Sequence, residues 1–283
     1  MANTNLNTAT LYVVATPIGN LADMVPRAVE TLQTVDIIAA EDTRHSARLL
    51  EHFHITTPML AYHDHSDERQ LQRLVERLLS GQRVALIADA GTPLVSDPGF
   101  RLVRAARQAG IAVVPIPGPC ALIAALSAAG LPSDRFAFEG FLPARAGQRR
   151  GRLETLAAED RTLIFYEAPH RLAACLDDMA AVFGGGREAV LARELTKAYE
   201  TIRAGSLREL QQFVGADGNQ QRGEIVLLVR AAAGAERQVS AETERVMGVL
   251  LAELSVRQAA SLGAKITGVK KNLLYQWALG RSG

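Results

Sequence analysis

The 283-residue chain contains only two cysteines, Cys120 and Cys175. They are not arranged as C-x-x-C, which excludes a disulfide framework and a cysteine-based zinc site and fits a reducing, cytoplasmic setting. Aromatic residues are sparse at 5%. Charge of one sign is also lacking: 31 basic and 30 acidic residues leave a net +1, so the whole chain offers no field to draw in a polyanion. Neither G-x-x-x-x-G-K-[ST] nor G-x-G-x-x-G after the first strand occurs, which excludes a P-loop kinase and an ordinary NAD dehydrogenase. The glycine triplet 184–186 follows an amphipathic stretch and reads as a helix stop. The opening MANTNLNTAT has no basic region before an apolar one, so no secretory leader is expected.

A long uncharged run is present, from Gln108 to Ser133. It exceeds the roughly 20 apolar residues that cross a bilayer. Gly110, Pro115, Pro117, Gly118 and Pro119 nevertheless interrupt it, leaving a strand at 111–114, a turn, and a small-residue helix at about 120–129. No membrane span is expected.

Hydrophobic residues at 48% and charged residues at 22% are ordinary for a globular protein, and the length suits two domains. Apolar, β-branched runs at 11–15, 35–39, 83–88 and 111–114 alternate with helical periodicity at 46–53, 67–79 and 100–109. This is the pattern of βαβ units around a largely parallel sheet. After a linker at 130–134, strands are predicted near 136–138, 162–166, 189–192 and 225–229, with helices near 152–158 and 171–182. The expected organisation is α/β: two α/β domains, 1–132 and 133–232, and a linker with a small helical tail, 233–283. Residues 255–279 have the helix, glycine break and helix of a helix-turn-helix or of a simple helical cap.

Unusual loops follow the predicted strands of the first domain: ATPIGNLAD (15–23), AEDTRHS (40–46), ADAGTPLVSDPG (88–99) and PIPGPCA (115–121). In open α/β sheets ligands bind at the carboxyl ends of strands. Proline and glycine at this density fix tight turns and leave backbone groups free to face a ligand.

These loops, with FEGFLP, YEAPHR, ARELTKAYE, the later Gly223-Glu224 and the ending SVRQAASLGAKITGVKKNLLY, resemble the successive signatures of the ribosomal RNA small subunit methyltransferase I family, within the tetrapyrrole methylase fold group. The resemblance runs in order from about residue 11 to 230. It implies a donor cleft between the two α/β domains, S-adenosylmethionine as cofactor, and transfer to the 2′-hydroxyl of a decoding-region cytidine in 16S ribosomal RNA, met within the small ribosomal subunit. A homodimer is implied as well. Two residues depart from the family pattern: Ala88 and Cys120 stand where serine is usual, which removes a hydroxyl but keeps the side chain small.

The resemblance places donor contacts at Pro17, Gly91, Thr92, Val95, Cys120 and Ala121, with Tyr166, Leu195 and Glu224 from the second domain. A ribose hydroxyl is a poor nucleophile, so transfer needs alignment, a base and a nearby cation. Asp89, Glu167 and Lys197 are the catalytic candidates; Asp23, Glu41, Asp42 and Glu200 are further carboxylates, and Arg44 and Arg193 further cations. Lys197 stands out as the only lysine before Lys265. Asp42 and Asp97 precede helical stretches and equally suit helix N-caps. Five of the six histidines lie between His45 and His65, but no further ligand pair supports a closed metal site, and a surface or RNA-facing role is expected.

Basic residues cluster in two segments without acids. Arg145, Arg149, Arg150 and Arg152 lie between Glu139 and Glu154, in what reads as a mobile loop; Arg257, Lys265, Lys270, Lys271 and Arg281 follow Glu253. With Arg44, the loop arginines and the three lysines are the expected RNA contacts. Two other classes stay open: a small-molecule or tetrapyrrole methyltransferase, which needs no basic segments, and a non-catalytic RNA-binding assembly factor, which needs no cleft.

Overall fold

The computed structural model describes residues 9–63, 68–232 and 241–280. Strands β1 (Thr10–Val14), β2 (Ile37–Ala40), β3 (Met59–Ala61), β4 (Arg83–Ile87) and β5 (Ala112–Ile116) form one sheet in the order β3-β2-β4-β1-β5, with every pair parallel. Parallel strands are covered on both faces, which is why β2 and β4 are almost wholly apolar and buried. Helices α1 (Pro26–Thr34) and α2 (Thr43–His52) set Ala28, Leu32 and Leu50 against Val14, Ala85 and Ile87. On the opposite face α3 (Glu68–Leu79) and α4 (Phe100–Gln108) set Leu74, Leu78 and Leu102 against Leu11, Val84 and Leu86. The chain leaves β1 toward β2 on one side and leaves β4 toward β5 on the other. The carboxyl ends of β1 and β4 therefore flank the switch point at which α/β sheets bind ligands.

The uncharged run forms β5 and α5 (Ala121–Ala129), and no helix among the described residues is long and apolar enough to cross a membrane. Helix α5 differs from expectation in where it packs. Leu122, Ala125, Leu126 and Ala129 lie on Ile164, Val190, Val226 and Leu228 of the second sheet, not on the first. Residue 132 thus does not divide the contacts: the described residues up to Arg230, apart from 158–160, form one compact unit.

The second sheet comprises β6 (Phe136–Phe141), β7 (Thr162–Glu167), β8 (Glu188–Arg193), β9 (Thr201–Ser206) and β10 (Ile225–Val229), in the order β6-β7-β10-β8-β9. It is mixed, not largely parallel: only β6–β7 is a parallel pair. Its far face is covered by α6 (Ala146–Leu156), α7 (Leu172–Phe183) and α8 (Leu207–Ala216) through Leu153, Leu176, Met179 and Leu210. The segment expected as a mobile basic loop is helix α6. Leu153 and Leu156 bury its inner face, and Arg149 turns inward to meet Asp178 of α7. The glycine at 184 ends α7 with φ of 89°.

A second unit joins residues 158–160 to 231–283. Its described helices are α9 (Ala241–Glu253), α10 (Val256–Thr267) and α11 (Lys271–Leu279), packed around Met247, Ala259, Ala260, Leu274 and Ala278. Gly268, with φ of 73°, ends α10 and makes the break anticipated between the last two helices. The expected linker at 233–240 lies outside the described residues.

Candidate functional site

The loops that leave β1, β4 and β5 are tied to one another by backbone. Thr16 and Gly91 exchange N–H···O bonds of 2.9 and 3.1 Å, and the buried Thr16 hydroxyl donates to the Ala88 carbonyl at 3.3 Å. The Thr92 hydroxyl donates to the Pro119 carbonyl at 2.9 Å. Gly91 has φ of +82°, and a methyl group there would press on Ile18, so glycine lets the turn close. Leu94 and Ser96 carry positive φ of 73° and 64° in the same loop. Such backbone is costly for residues with a side chain and collects at functional sites. Gly99, and not Asp97, occupies the N-cap of α4, and Asp97 lines the cavity described below.

That cavity has a volume of about 370 Å³ and opens between the first-sheet loops and the carboxyl end of β7, within the range of about 300–1,000 Å³ usual for small-molecule sites. Val95, Cys120 and Ala121 line one side; Phe141, Tyr166 and Leu195 line the other. The Tyr166 hydroxyl accepts the Leu122 N–H at 3.2 Å, joining the first turn of α5 to the second sheet. Burial, with Cys120 and Asp97 nearby, pushes the phenol well above its usual range, against the Leu122 hydrogen bond, so the hydroxyl stays protonated.

A second cavity, about 280 Å³, is lined by Pro17, His45, Arg48, Asp89 and Lys197. It adjoins the first: Ile18, Ala90 and Glu224 line both. Asp89 Oδ1 accepts the Asp42 N–H at 3.1 Å, and Asp42 caps α2 by accepting the Arg44 N–H at 2.8 Å. Lys197 Nζ lies 2.8 Å from Glu194 Oε1 and 3.2 Å from Glu224 Oε2. Burial works against the ammonium, but the two carboxylates outweigh it and hold its pKa above the ordinary lysine value. Lys197 is therefore a fixed cation, not a base. Among the described residues no group of three or more His, Cys, Asp or Glu is placed to hold a metal ion; His65 lies outside the described residues.

Residues 10–211 match the family of Tetrapyrrole (Corrin/Porphyrin) Methylases, and residues 237–282 match the RsmI C-terminal HTH domain. The chain is 61% identical to the Ribosomal RNA small subunit methyltransferase I of Pseudomonas aeruginosa, over 98% of this chain and 99% of that one. It is 54% identical to the protein of the same name from Escherichia coli O157:H7, over 96% of each chain. The chain belongs to the ribosomal RNA small subunit methyltransferase I family. The fold of this methyltransferase family member is shared more widely: a uroporphyrin-III C-methyltransferase from Thermus thermophilus, solved with S-adenyl homocysteine, aligns over 78% of this chain and 96% of its own with a TM-score of 0.54 at 16% identity.

In this ribosomal RNA small subunit methyltransferase I family member, the residues singled out from sequence distribute as follows. Gly91, Thr92, Val95, Cys120, Ala121, Tyr166, Leu195 and Glu224 line the larger cavity, and Pro17 lines the smaller. Asp89 and Lys197 come together at the smaller cavity. Glu167 lines the larger one, but its buried carboxylate lies 3.1 Å from Arg171 and accepts the Ala168 N–H at 2.8 Å. Arg193 is buried and donates to the carbonyls of Tyr199 and Arg222 and to the Thr201 hydroxyl, bracing the loop between β8 and β9. Arg44 is exposed and paired with Asp42.

The basic cluster of α6 requires a correction. Arg149 is only 4% exposed and is bonded to Asp178, so it offers nothing to a polyanion. Arg150 shares Asp178, and Arg152 pairs with Glu139 at 2.5 Å. Arg145 is exposed at the start of α6, and Lys265, Lys270 and Lys271 are exposed around the α10–α11 turn. Sequence reasoning placed Asp97 only as a possible helix N-cap and did not single out Phe141, Arg48 or Glu194; Phe141 and Glu194 sit within quoted motifs, and Glu194 owes its place to a backbone with φ of 52°.

Proposed function

We propose that the chain transfers a methyl group from S-adenosylmethionine to a ribose 2′-hydroxyl of small-subunit ribosomal RNA, at the decoding-region cytidine implied by its family. The observation that carries this reading is the pair of adjoining cavities, the larger mainly apolar, the smaller edged by Asp89 and Lys197. The larger cavity fits the donor. Its backbone cradle is closed by Gly91, and Asp97 and the largely exposed Glu224 bring carboxylates to its lining. S-adenosylmethionine bound there supplies an electrophilic methyl group on a sulfonium that departs as a neutral thioether. Thr92, Val95, Cys120 and Leu195 would hold it in place and keep water from the methyl group.

The smaller cavity fits the acceptor ribose. As its 2′ oxygen bonds to the methyl carbon, its proton passes to the Asp89 carboxylate, which then loses it to solvent. Lys197, fixed as an ammonium, stabilises the developing charge on the oxygen without taking part in proton transfer. His45 and Arg48 give the mouth of this cavity a basic side for the neighbouring phosphates.

The test is methylation of small subunits from a strain lacking this protein, with radiolabelled S-adenosylmethionine and mapping of alkali-resistant linkages, which ribose 2′-O-methylation creates. One resistant linkage carrying the label is expected; label on a base, or none, overturns the reading. Asp89→Ala should lower kcat by about 10²-fold or more and Lys197→Ala should also slow transfer, both with donor affinity nearly unchanged in calorimetry. Normal rates for both variants would remove these assignments.

A further inference from the structure

Lys197 is held from three directions, and one of the groups that hold it has no part in either cavity. The Glu194 carboxylate accepts Lys197 Nζ at 2.8 Å and the Glu224 backbone N–H at 3.0 Å. Gly223 lies directly beneath it, so that a methyl group at 223 would overlap the carboxylate. The aliphatic stem of Lys197 runs over Gly19 of the loop after β1, and a methyl group there would overlap its Cγ and Cε atoms. Glu194 itself has φ of 52°, Thr196 has φ of 66°, and between them Leu195 lines the larger cavity. A strained turn therefore presents Leu195 to one cavity and Lys197 to the other, and the Glu194 carboxylate closes it.

We infer that Glu194 is a positioning residue: resting on Gly223, it fixes the Lys197 Nζ at the edge of the acceptor cavity, without touching either substrate. The inference rests on the function proposed above. Its geometry is explicit: the groups that face Lys197 are Glu194 of its own loop, Glu224 at the start of β10, Asp89 after β4, and His45 and Arg48 of α2. Of these, Glu224 is largely exposed, its side chain 69% accessible, whereas the Glu194 side chain is 18% accessible. The less solvated partner holds the cation more firmly.

The test has two arms. In the first, the pH dependence of Lys197 acylation by an amine-reactive ester is read by mass spectrometry in the full-length protein, the Glu194→Gln variant and the Gly223→Ala variant. Both variants should move the midpoint to lower pH, the first by removing charge and the second by displacing the carboxylate with every charge retained. In the second arm, Glu194→Gln should lower kcat on small subunits about 10-fold with donor affinity within about twofold. In a Lys197→Met background it should cause no further loss. An unmoved acylation midpoint, or an equal loss in the Lys197→Met background, overturns the inference. The acylation arm needs no methyl transfer, so absent activity in the unaltered protein would refute the proposed function and leave the positioning role measurable.

Discussion

Arg149 and Asp178 leave water together when the chain folds. Their side chains are 5% and 4% accessible, with an N···O distance of 2.7 Å. The desolvation cost of such a pair is repaid only while both partners and their hydrogen bonds are present. Asp178→Ala would strand the Arg149 guanidinium with the Ala144 carbonyl as its remaining partner, and a loss of about 3–5 kcal/mol is expected from denaturant unfolding. An apolar pair, Arg149→Met with Asp178→Leu, should recover much of that. The pH dependence has a defined sign. Burial raises the Asp178 pKa, but hydrogen bonds from Arg150 and Arg149 outweigh it and hold the carboxyl below its ordinary 3.8. Its contribution is therefore present above about pH 4 and is lost as pH falls through the lower folded value. The gap between Asp178→Ala and the unaltered protein should narrow at the most acid pH. None of this was visible in the sequence, because Asp178 lies far along the chain from the arginines it neutralises. Lys197, by contrast, was conspicuous by its rarity, although its pKa direction depends on Glu194 and Glu224 and could not be read from residue type.

Elements were legible where their surroundings matched their patterns. The apolar runs of β1, β2, β4, β7, β8 and β10 announced buried strands, but an apolar run carries no sign of direction, so the mixed order of the second sheet was hidden. Strands β3 and β9, each at one edge of its sheet, went unread, although the opposite edges β5 and β6 were found. β3 has three residues and β9 is largely exposed, with no run or clean alternation to detect. Helix α5 was found but given to the wrong sheet, since a helix apolar on most sides does not say which surface it covers. Its placement sets the β5–α5 turn beside the larger cavity, which Cys120 and Ala121 line. A methyl group on Gly118 would lie 2.9 Å from the Ala15 Cβ, a contact that only backbone movement relieves. Gly118→Ala should therefore push apart the loops after β1 and β5. Calorimetry should show donor affinity at least about 10-fold weaker, while a fold still intact by circular dichroism shows the change to be local. Unaltered affinity would mean that these loops shift freely.

At the scale of the whole molecule, a net charge of +1 conceals an uneven distribution, and folding sorts its basic segments by use. In α6 Arg149 is buried, and Arg150 and Arg152, though accessible, are paired with acids, which leaves Arg145 at its start. Lys265, Lys270 and Lys271 project from the last two helices of the second unit, whose core is its own. If RNA affinity draws on these lysines, changing all three to glutamine should weaken binding to small-subunit RNA. It should also reduce the slope of log affinity against log salt by about 2 to 3, at about 0.7–0.9 for each lost phosphate contact. Donor affinity should not move, because every residue lining the donor cavity belongs to the first unit. Changing Arg149 to glutamine should do the reverse: a lower unfolding midpoint with the salt slope of the remaining folded protein unchanged. A salt slope that responds to Arg149 and ignores the lysines would show that the fold does not divide its basic residues in this way.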